Sequence, residues 1–197
     1  MAGHTSNDSK TGSTVRANQF LRVHPMALLE VLKYPDPKLR EVARPVLTVD
    51  DSIRKIVSDM AETMYAAPGV GLAATQVGIP LRIFVIDVAA DGEPSQLQIF
   101  INPEITERVG KHLWKEGCLS FPGVAEDVKR AKQVTVRALD LDGRPFDLVA
   151  HDLLAVAVQH ENDHLDGVLM IDQVSAFARR RIGRKLADQT RTADTEA

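Results

Sequence analysis

Five residues in the C-terminal part of the chain, His160-Glu161-Asn162-Asp163-His164, form an H-E-x-x-H sequence. Two histidines four positions apart lie on the same face of a helix, so both imidazoles can bind one metal ion. Glu161 lies about 100° around the helix from His160 and can reach a water molecule at the metal without binding the metal itself. The pattern predicts metal-dependent hydrolysis in which Glu161 moves the protons; the alternative is a helix with two surface histidines.

A catalytic site of this kind needs three protein ligands and an open position. One protease pattern continues H-E-x-x-H-x-x-G-x-x-H, and Gly167 fits it, but Met170 stands where the third histidine should be. Another protease class uses a later glutamate, and the only later one is Glu196, next to the chain end. Upstream, a single cysteine offers a thiolate that suits Fe²⁺ or Zn²⁺ beside two imidazoles, although a lone cysteine can also be plain core. The predicted ligands are Cys118, His160 and His164.

The elements around these residues are patterned from residue 26 to about 181. Asp51 can cap a helix whose apolar residues share one face, namely Ile53, Ile56, Val57, Met60 and Met64. Segments 81–88 and 97–101 are rich in Ile, Val and Phe and are predicted strands. Further strands are predicted at 134–138, where apolar and polar residues alternate, and at 145–149, which follows a hairpin signal at Asp142-Gly143.

Two more helices complete the pattern. Asp152 can cap the helix that carries the histidines, through Leu165, and a strongly charged helix is predicted at about 173–188. The order of elements predicts an α+β fold, with mostly antiparallel sheets packed around a central metal-binding helix and a C-terminal helix. The predicted organisation is a flexible extension at 1–25, one catalytic domain at 26–188 and a disordered tail at 189–197.

Composition sets broad limits on function. The chain has 197 residues, 44% of them hydrophobic and 26% charged, which is typical of one globular domain. A net charge of −3 gives no reason to expect DNA as a partner, and no apolar run is long enough to span a membrane. The single cysteine fits a reducing compartment, so we expect a cytoplasmic protein. Residues 1–25 contain few acids, which is typical of an organellar transit peptide. Their amphipathicity is weak, however, so a transit peptide is a less favoured alternative, beside a non-native extension.

Three segments together carry a family resemblance: Gly69-Val70-Gly71-Leu72-Ala73-Ala74-Thr75-Gln76, Glu116-Gly117-Cys118-Leu119-Ser120 and Gln159-His160-Glu161-Asn162-Asp163-His164. In this order they resemble the signature motifs of the bacterial peptide deformylases, and the basic C-terminal helix is similar to that of the Gram-negative-type subgroup. The resemblance implies hydrolysis of the N-formyl group from the initiator methionine of nascent peptides, with release of formate. It also implies Fe²⁺ as the native ion, with Zn²⁺, Ni²⁺ or Co²⁺ able to replace it.

The resemblance also implies a role for each matching residue. Glu161 would be the general base, and Gln76 and the backbone N–H of Leu119 would stabilise the oxyanion. Glycines such as Gly71 allow a substrate backbone to approach the metal closely. The pocket for the methionine side chain is predicted to include Val70, Leu153, Val156 and Ala157, which could equally be plain core. Glu116 and Arg130 are expected to form an ion pair that braces the Cys118 loop, and Asp163 is expected to face solvent.

Two other functions stay open from the residues alone. A zinc peptidase of another H-E-x-x-H class would share the helix but needs a downstream ligand, and a metal-stabilised non-catalytic module usually has four protein ligands. The basic run Arg179-Arg180-Arg181, with Arg184 and Lys185, is a candidate contact with ribosomal RNA, which rests on the family likeness and local charge. The alternative is a solvated helix face.

Overall fold

The computed structural model describes residues 27–90 and 92–196, with side chains described as far as residue 188. The extension predicted at 1–25 lies outside the described residues. The described strands are β1 (Gly71–Ala73), β2 (Ile83–Ile86), β3 (Gln98–Val109), β4 (His112–Gly117), β5 (Ala125–Arg130), β6 (Gln133–Leu139) and β7 (Pro145–His151). The described α-helices are α1 (Asp51–Ala66), α2 (Asp152–Leu165) and α3 (Ala176–Glu196). Short 3₁₀ helices cover Pro37–Arg40, Ala74–Val77 and Met170–Asp172.

The strands form a five-stranded sheet, in the order β1-β2-β3-β6-β7, and a separate β4-β5 hairpin. Neighbouring strands in both are antiparallel. Helix α2 packs against β1, β2, β6 and β7, and therefore lies at the centre of the domain. The predicted α+β fold, with antiparallel sheets around a central helix and a C-terminal helix, is confirmed. Strand β3 continues to Val109, well beyond the predicted end at residue 101, with two register shifts against β6.

Helix α1 supports the sheet from one side through the predicted apolar face. Ile53, Val57, Met60 and Met64 are buried among residues of β1 and β2. The helix is capped by Asp50 rather than by the predicted Asp51, since the Asp50 carboxylate accepts hydrogen bonds from the backbone N–H groups of Ser52 and Ile53. The prediction was one residue late because either aspartate can cap by type, and only the backbone geometry decides between them.

Helix α2 begins directly from β7. His151 still pairs with Gln133 in the sheet, and Asp152 is the first helical residue, at φ +48°, instead of the predicted cap. The small residues Ala155 and Ala157 let the helix lie close to the sheet, and residues from Ala155 to Asn162 are buried. Polar side chains on this helix are therefore forced into the core, where each needs a partner or a ligand.

Helix α3 closes the domain at its C-terminal side. Its buried residues Ala178, Ile182 and Leu186 pack in an apolar cluster with Phe121 and residues of the Met170–Asp172 turn. The helix begins three residues after the predicted start at Gln173 and continues to Glu196, through the segment predicted to be a disordered tail. In the described part of the chain, no helix combines the length and apolar character needed to cross a bilayer.

Candidate metal centre

Cys118, just after β4, faces His160 and His164 on α2. One ligand atom from each residue lies within 4.8 Å of the others, and this is the one such group of three His, Cys, Asp or Glu residues among those described. Cys118 Sγ lies 3.3 Å from His164 Nε2. Metal bonds of about 2.0 to 2.3 Å in a tetrahedral site hold two ligand atoms about 3.5 Å apart, so the three side chains fit a single divalent ion.

The Cys118 loop is held in place by the N-terminal segment of the domain. Lys33 Nζ donates to the Leu119 carbonyl at 2.7 Å, and the Tyr34 N–H donates to the Ser120 carbonyl at 2.9 Å. The Phe121 N–H closes the turn by donating to the Cys118 carbonyl at 2.9 Å. These bonds fix the backbone on both sides of the thiol, so its direction does not depend on the metal alone.

A buried ionic network supports the second ligand. Arg130 Nε and Nη2 donate to the two carboxylate oxygens of Glu116 at 2.6 and 3.0 Å, which confirms the predicted ion pair. Glu116 Oε2 also lies 2.9 Å from His160 Nδ1, so the opposite ring nitrogen of His160 is left for the metal. Arg130 Nη1 donates to Asp163 Oδ2 at 2.6 Å. The prediction that Asp163 faces solvent was wrong, because its side chain is turned toward the network and is only 24% exposed.

The charges of this network follow from burial and close contacts. Burial would raise the pKa of Glu116, but hydrogen bonds from His160 and Arg130 outweigh it and the pKa is lowered. Burial would likewise lower the pKa of His160, but the nearby Cys118 and Glu116 outweigh burial, and the pKa is raised well above its ordinary value. For His164, burial and the nearby His160 both lower the pKa. The set thus contains an anionic Glu116 behind His160 and a neutral His164, and His160 must release the proton on the nitrogen that faces the site before it can bind a metal ion.

Glu161, the residue after His160 on α2, lines the same cavity as His160 and Cys118. The residue is 4% exposed, and burial raises the pKa of its carboxyl to about 7, although the charge of His160 opposes the shift. Its Oε2 is buried without a hydrogen-bond partner among the described residues. A carboxyl whose pKa lies near neutrality can both accept and donate a proton at cellular pH.

Gln76 approaches the cysteine from a 3₁₀ helix after β1. Its Oε1 accepts from the Ala73 N–H at 2.9 Å, and its Nε2 lies 3.2 Å from Ser120 Oγ and 3.6 Å from Cys118 Sγ. The bond from Ala73 fixes which end of the amide is the donor, and the N–H groups therefore face the metal site. Ser120 is fully buried; it belongs to the second motif, but the sequence assigned it no role, because its contact with Gln76 comes from a distant segment.

A cavity of about 430 Å³ opens onto these residues. Its walls include all five residues predicted to bind substrate: Val70, Gly71, Leu153, Val156 and Ala157. Cys118, Leu119 and Glu161 also line it. Sequence analysis missed three apolar residues of the wall, namely Trp114, Phe121 and Val124. Trp114 precedes Glu116 by two positions on β4, so strand alternation could have placed it on the same face; Phe121 and Val124 lie in a turn with no periodic signal.

The sequence and the fold are similar to those of known proteins. Residues 28–180 match the family model described as polypeptide deformylase. The chain is 56% identical over 161 residues to a peptide deformylase of Alkalilimnicola ehrlichii, covering 82% of this chain and 90% of the relative. It is 51% identical over 169 residues to that of Pseudomonas aeruginosa, with 84% and 98% covered. The chain belongs to the polypeptide deformylase family.

A solved structure of a peptide deformylase from Legionella pneumophila has the same fold. It superposes with a TM-score of 0.80 at 43% identity and covers 85% of this chain and 98% of that one. The family resemblance inferred from the three motifs is confirmed, as are the expected enzyme class and reaction. The chain is a metal-dependent hydrolase that removes the N-formyl group from the N-terminal methionine of formylated nascent peptides.

Proposed function

We propose that residues 26–188 form the catalytic domain and that deformylation takes place where Glu161, Gln76 and the Cys118 thiol meet on one cavity. The observation that carries this assignment is the convergence of the ligand group, a buried carboxyl and an amide donor at the end of an apolar cavity. Cys118, His160 and His164 hold the metal. When bound, a divalent ion makes a water molecule nucleophilic at neutral pH and polarises the formyl carbonyl.

Glu161 acts as the general base. Its carboxylate accepts a proton from the attacking water and later delivers that proton to the departing amine. The pKa of about 7 supports both steps, because the carboxylate and carboxyl forms are then close in free energy. The buried Oε2, with no partner among the described residues, supplies the acceptor atom.

Gln76 and the backbone N–H of Leu119 stabilise the negative charge that develops on the formyl oxygen. Both are neutral donors, and both residues line the cavity next to the thiolate. The bond between the Ala73 N–H and Gln76 Oε1 orients the side-chain amide before substrate arrives. One such preorganised donor typically contributes about 3 to 4 kcal/mol to the transition state.

The apolar part of the cavity binds the methionine side chain. Val156 is 3% exposed and Ala157 4%, so they form an inner wall, whereas Val70 is 46% exposed and lies at the mouth. Leu153 completes the wall on α2. An unbranched thioether suits a pocket of this kind because it adapts to irregular apolar surfaces. Gly71, without a side chain, lets the substrate backbone pass close to Glu161.

The native ion is Fe²⁺, with Zn²⁺, Ni²⁺ or Co²⁺ able to replace it, and the enzyme acts in the bacterial cytoplasm. The soft thiolate of Cys118 with two imidazoles supports a transition metal over Mg²⁺ or Ca²⁺, which prefer oxygen ligands. Among the transition metals, the choice of iron rests on the family resemblance. A reducing compartment supports both the ferrous ion and the thiolate, since each can be oxidised.

A formate-release assay on formyl-Met-Ala-Ser, with metal analysis of the same sample, tests the proposal. Protein purified anaerobically with Fe²⁺ is expected to release formate faster than protein purified in air. The unformylated peptide Met-Ala-Ser is the control, and its cleavage would instead favour a zinc peptidase. Equal formate release by the two preparations would argue for zinc as the working ion.

A contact between α3 and ribosomal RNA is the second part of the proposal. Arg181 is bonded to Glu126 and Lys185 to the Gly123 carbonyl, but Arg180 and Arg184 are exposed without a partner in the described part of the chain. Because Ile182 and Leu186 belong to the core, truncating the helix would disturb the fold. The double variant R180Q/R184Q is therefore the better test, and it should reduce co-sedimentation with ribosomes. Unchanged co-sedimentation would remove the contact.

A further inference from the structure

A second cavity, also of about 430 Å³, lies beside Arg130 and shares none of its lining residues with the metal-site cavity. Four cationic residues line it: Arg108, Lys111, Lys129 and Arg130. The single carboxylate in its wall is that of Asp163, which already accepts a hydrogen bond from Arg130. The cavity is therefore strongly basic in a chain whose net charge is −3.

Three of these cations are free to bind a ligand. Arg108, Lys111 and Lys129 are exposed, and no ion pair or side-chain hydrogen bond joins them to the residues described in the structure. Arg130 uses three of its five N–H groups on Glu116 and Asp163. Like charges gathered around one concave surface repel one another, and an anion between them relieves that repulsion.

The backbone behind the cavity is firmly held. Gln159 on α2 clamps Ala131, accepting from its N–H at 2.9 Å and donating to its carbonyl at 3.1 Å. The Lys132 N–H donates to the Val109 carbonyl at 3.1 Å, and Gly110 turns the chain at φ +67°, a conformation that favours glycine. The turn that carries Lys111 and the end of strand β5, which carries Lys129, are thus fixed before any ligand binds, which reduces the entropic cost of binding.

We propose that this cavity is a binding site for a phosphate group. A phosphate carries up to two negative charges and presents several oxygens in a tetrahedron, so it can contact several lysine and arginine side chains at once. A carboxylate carries one charge, has its two oxygens in a plane, and would leave some of the cationic side chains unpaired. The volume lies within the range of small-molecule sites and accommodates a phosphate together with the group that bears it.

The test is a titration of the zinc-loaded protein with inorganic phosphate at constant ionic strength, followed by ¹⁵N–¹H NMR spectra. Saturable shifts are expected at the amides of Gly110, Lys111 and Ala131, and not with acetate. The variant K111Q/K129Q should weaken binding about tenfold or more, because charge-assisted hydrogen bonds are lost. Its deformylase activity should be unchanged, since neither residue lines the metal-site cavity.

The control variant K38Q/R44Q removes the same charge from two exposed residues outside the cavity and should bind phosphate as the wild type does. Equal weakening in the control, equal shifts with acetate, or shifts confined to the Gly117–Ser120 segment would overturn the proposal. The last result would place the phosphate at the metal centre.

AMP and an oligoribonucleotide without a terminal phosphate then distinguish the source of the phosphate group. Tighter binding of AMP indicates a phosphorylated small molecule, and tighter binding of the oligonucleotide indicates a nucleic-acid backbone.

Discussion

The carboxylate of Glu161 lies directly against the backbone of Gly71. A Cβ atom built on Gly71 would lie 2.4 Å from Glu161 Oε1 and 3.0 Å from the carboxyl carbon. Gly71 cannot move away, since it pairs with Ile86 in the sheet, so a side chain at residue 71 would have to push the Glu161 carboxylate aside. The missing side chain at residue 71 is therefore what allows the carboxylate to reach the site.

Gly71→Ala is expected to remove most of the deformylase activity, because the new methyl group displaces the Glu161 carboxylate. Gly183→Ala is the matched control, since a Cβ there meets nothing within 4 Å. Residue 183 lies inside α3, and the control should gain about 0.5 to 1 kcal/mol of stability. Formate release and urea unfolding of the two variants check this. A Gly71→Ala enzyme with wild-type activity would show that the carboxylate position is not critical.

Glu161→Gln is expected to keep its metal and lose about 10²- to 10⁴-fold in kcat, because the amide has the same shape but cannot accept a proton. Metal content and formate release are measured on the same sample. Glu41→Gln, on the exposed surface, serves as the control and should be fully active. Substantial activity in Glu161→Gln would take the base role away from this residue.

Arg130→Met should destabilise the fold by about 3 to 5 kcal/mol, because it leaves Glu116 and Asp163 without their cation in a buried place. Urea denaturation measures the loss. Arg137→Met breaks the exposed pair with Asp147 and should leave stability unchanged. Arg130→Met should also weaken metal binding, since Glu116 without its cation orients His160 less firmly. Equal stability of the two variants would contradict the assigned role of the network.

The carboxylate of Asp87 predicts a pH dependence of stability. Burial would raise its pKa, but hydrogen bonds from the Ala89 N–H, from Ser95 and from Tyr65 outweigh burial and lower it. A group with a lowered folded-state pKa stabilises the fold above its unfolded pKa of about 3.9, and this contribution is lost as pH falls through the folded value. Asp87→Asn should therefore be less stable than wild type at pH 7, with a gap that narrows below about pH 4. A gap independent of pH in chemical denaturation would refute this.

Local patterns carried a large part of the information in the sequence. The two histidines could be assigned to one face of a helix because residues four positions apart lie on the same face, about one turn from each other. The buried face of α1 followed from its 3.6-residue period, and the turn at Asp142-Gly143 from a conformation that glycine favours. Cys118 could be chosen as the third ligand because it was the only thiol and the downstream alternatives failed.

Only the tertiary structure decided where distant side chains meet. Asp163 turned out to hold Arg130 instead of facing solvent, and Ser120 to contact Gln76, because those partners come from other segments of the chain. The start of α2 was likewise set by strand β7, whose pairing with β6 runs up to the helix and leaves Asp152 no room to act as its cap. Spacing along a chain constrains neighbours within a few residues, whereas contacts between segments depend on how the sheets and helices pack.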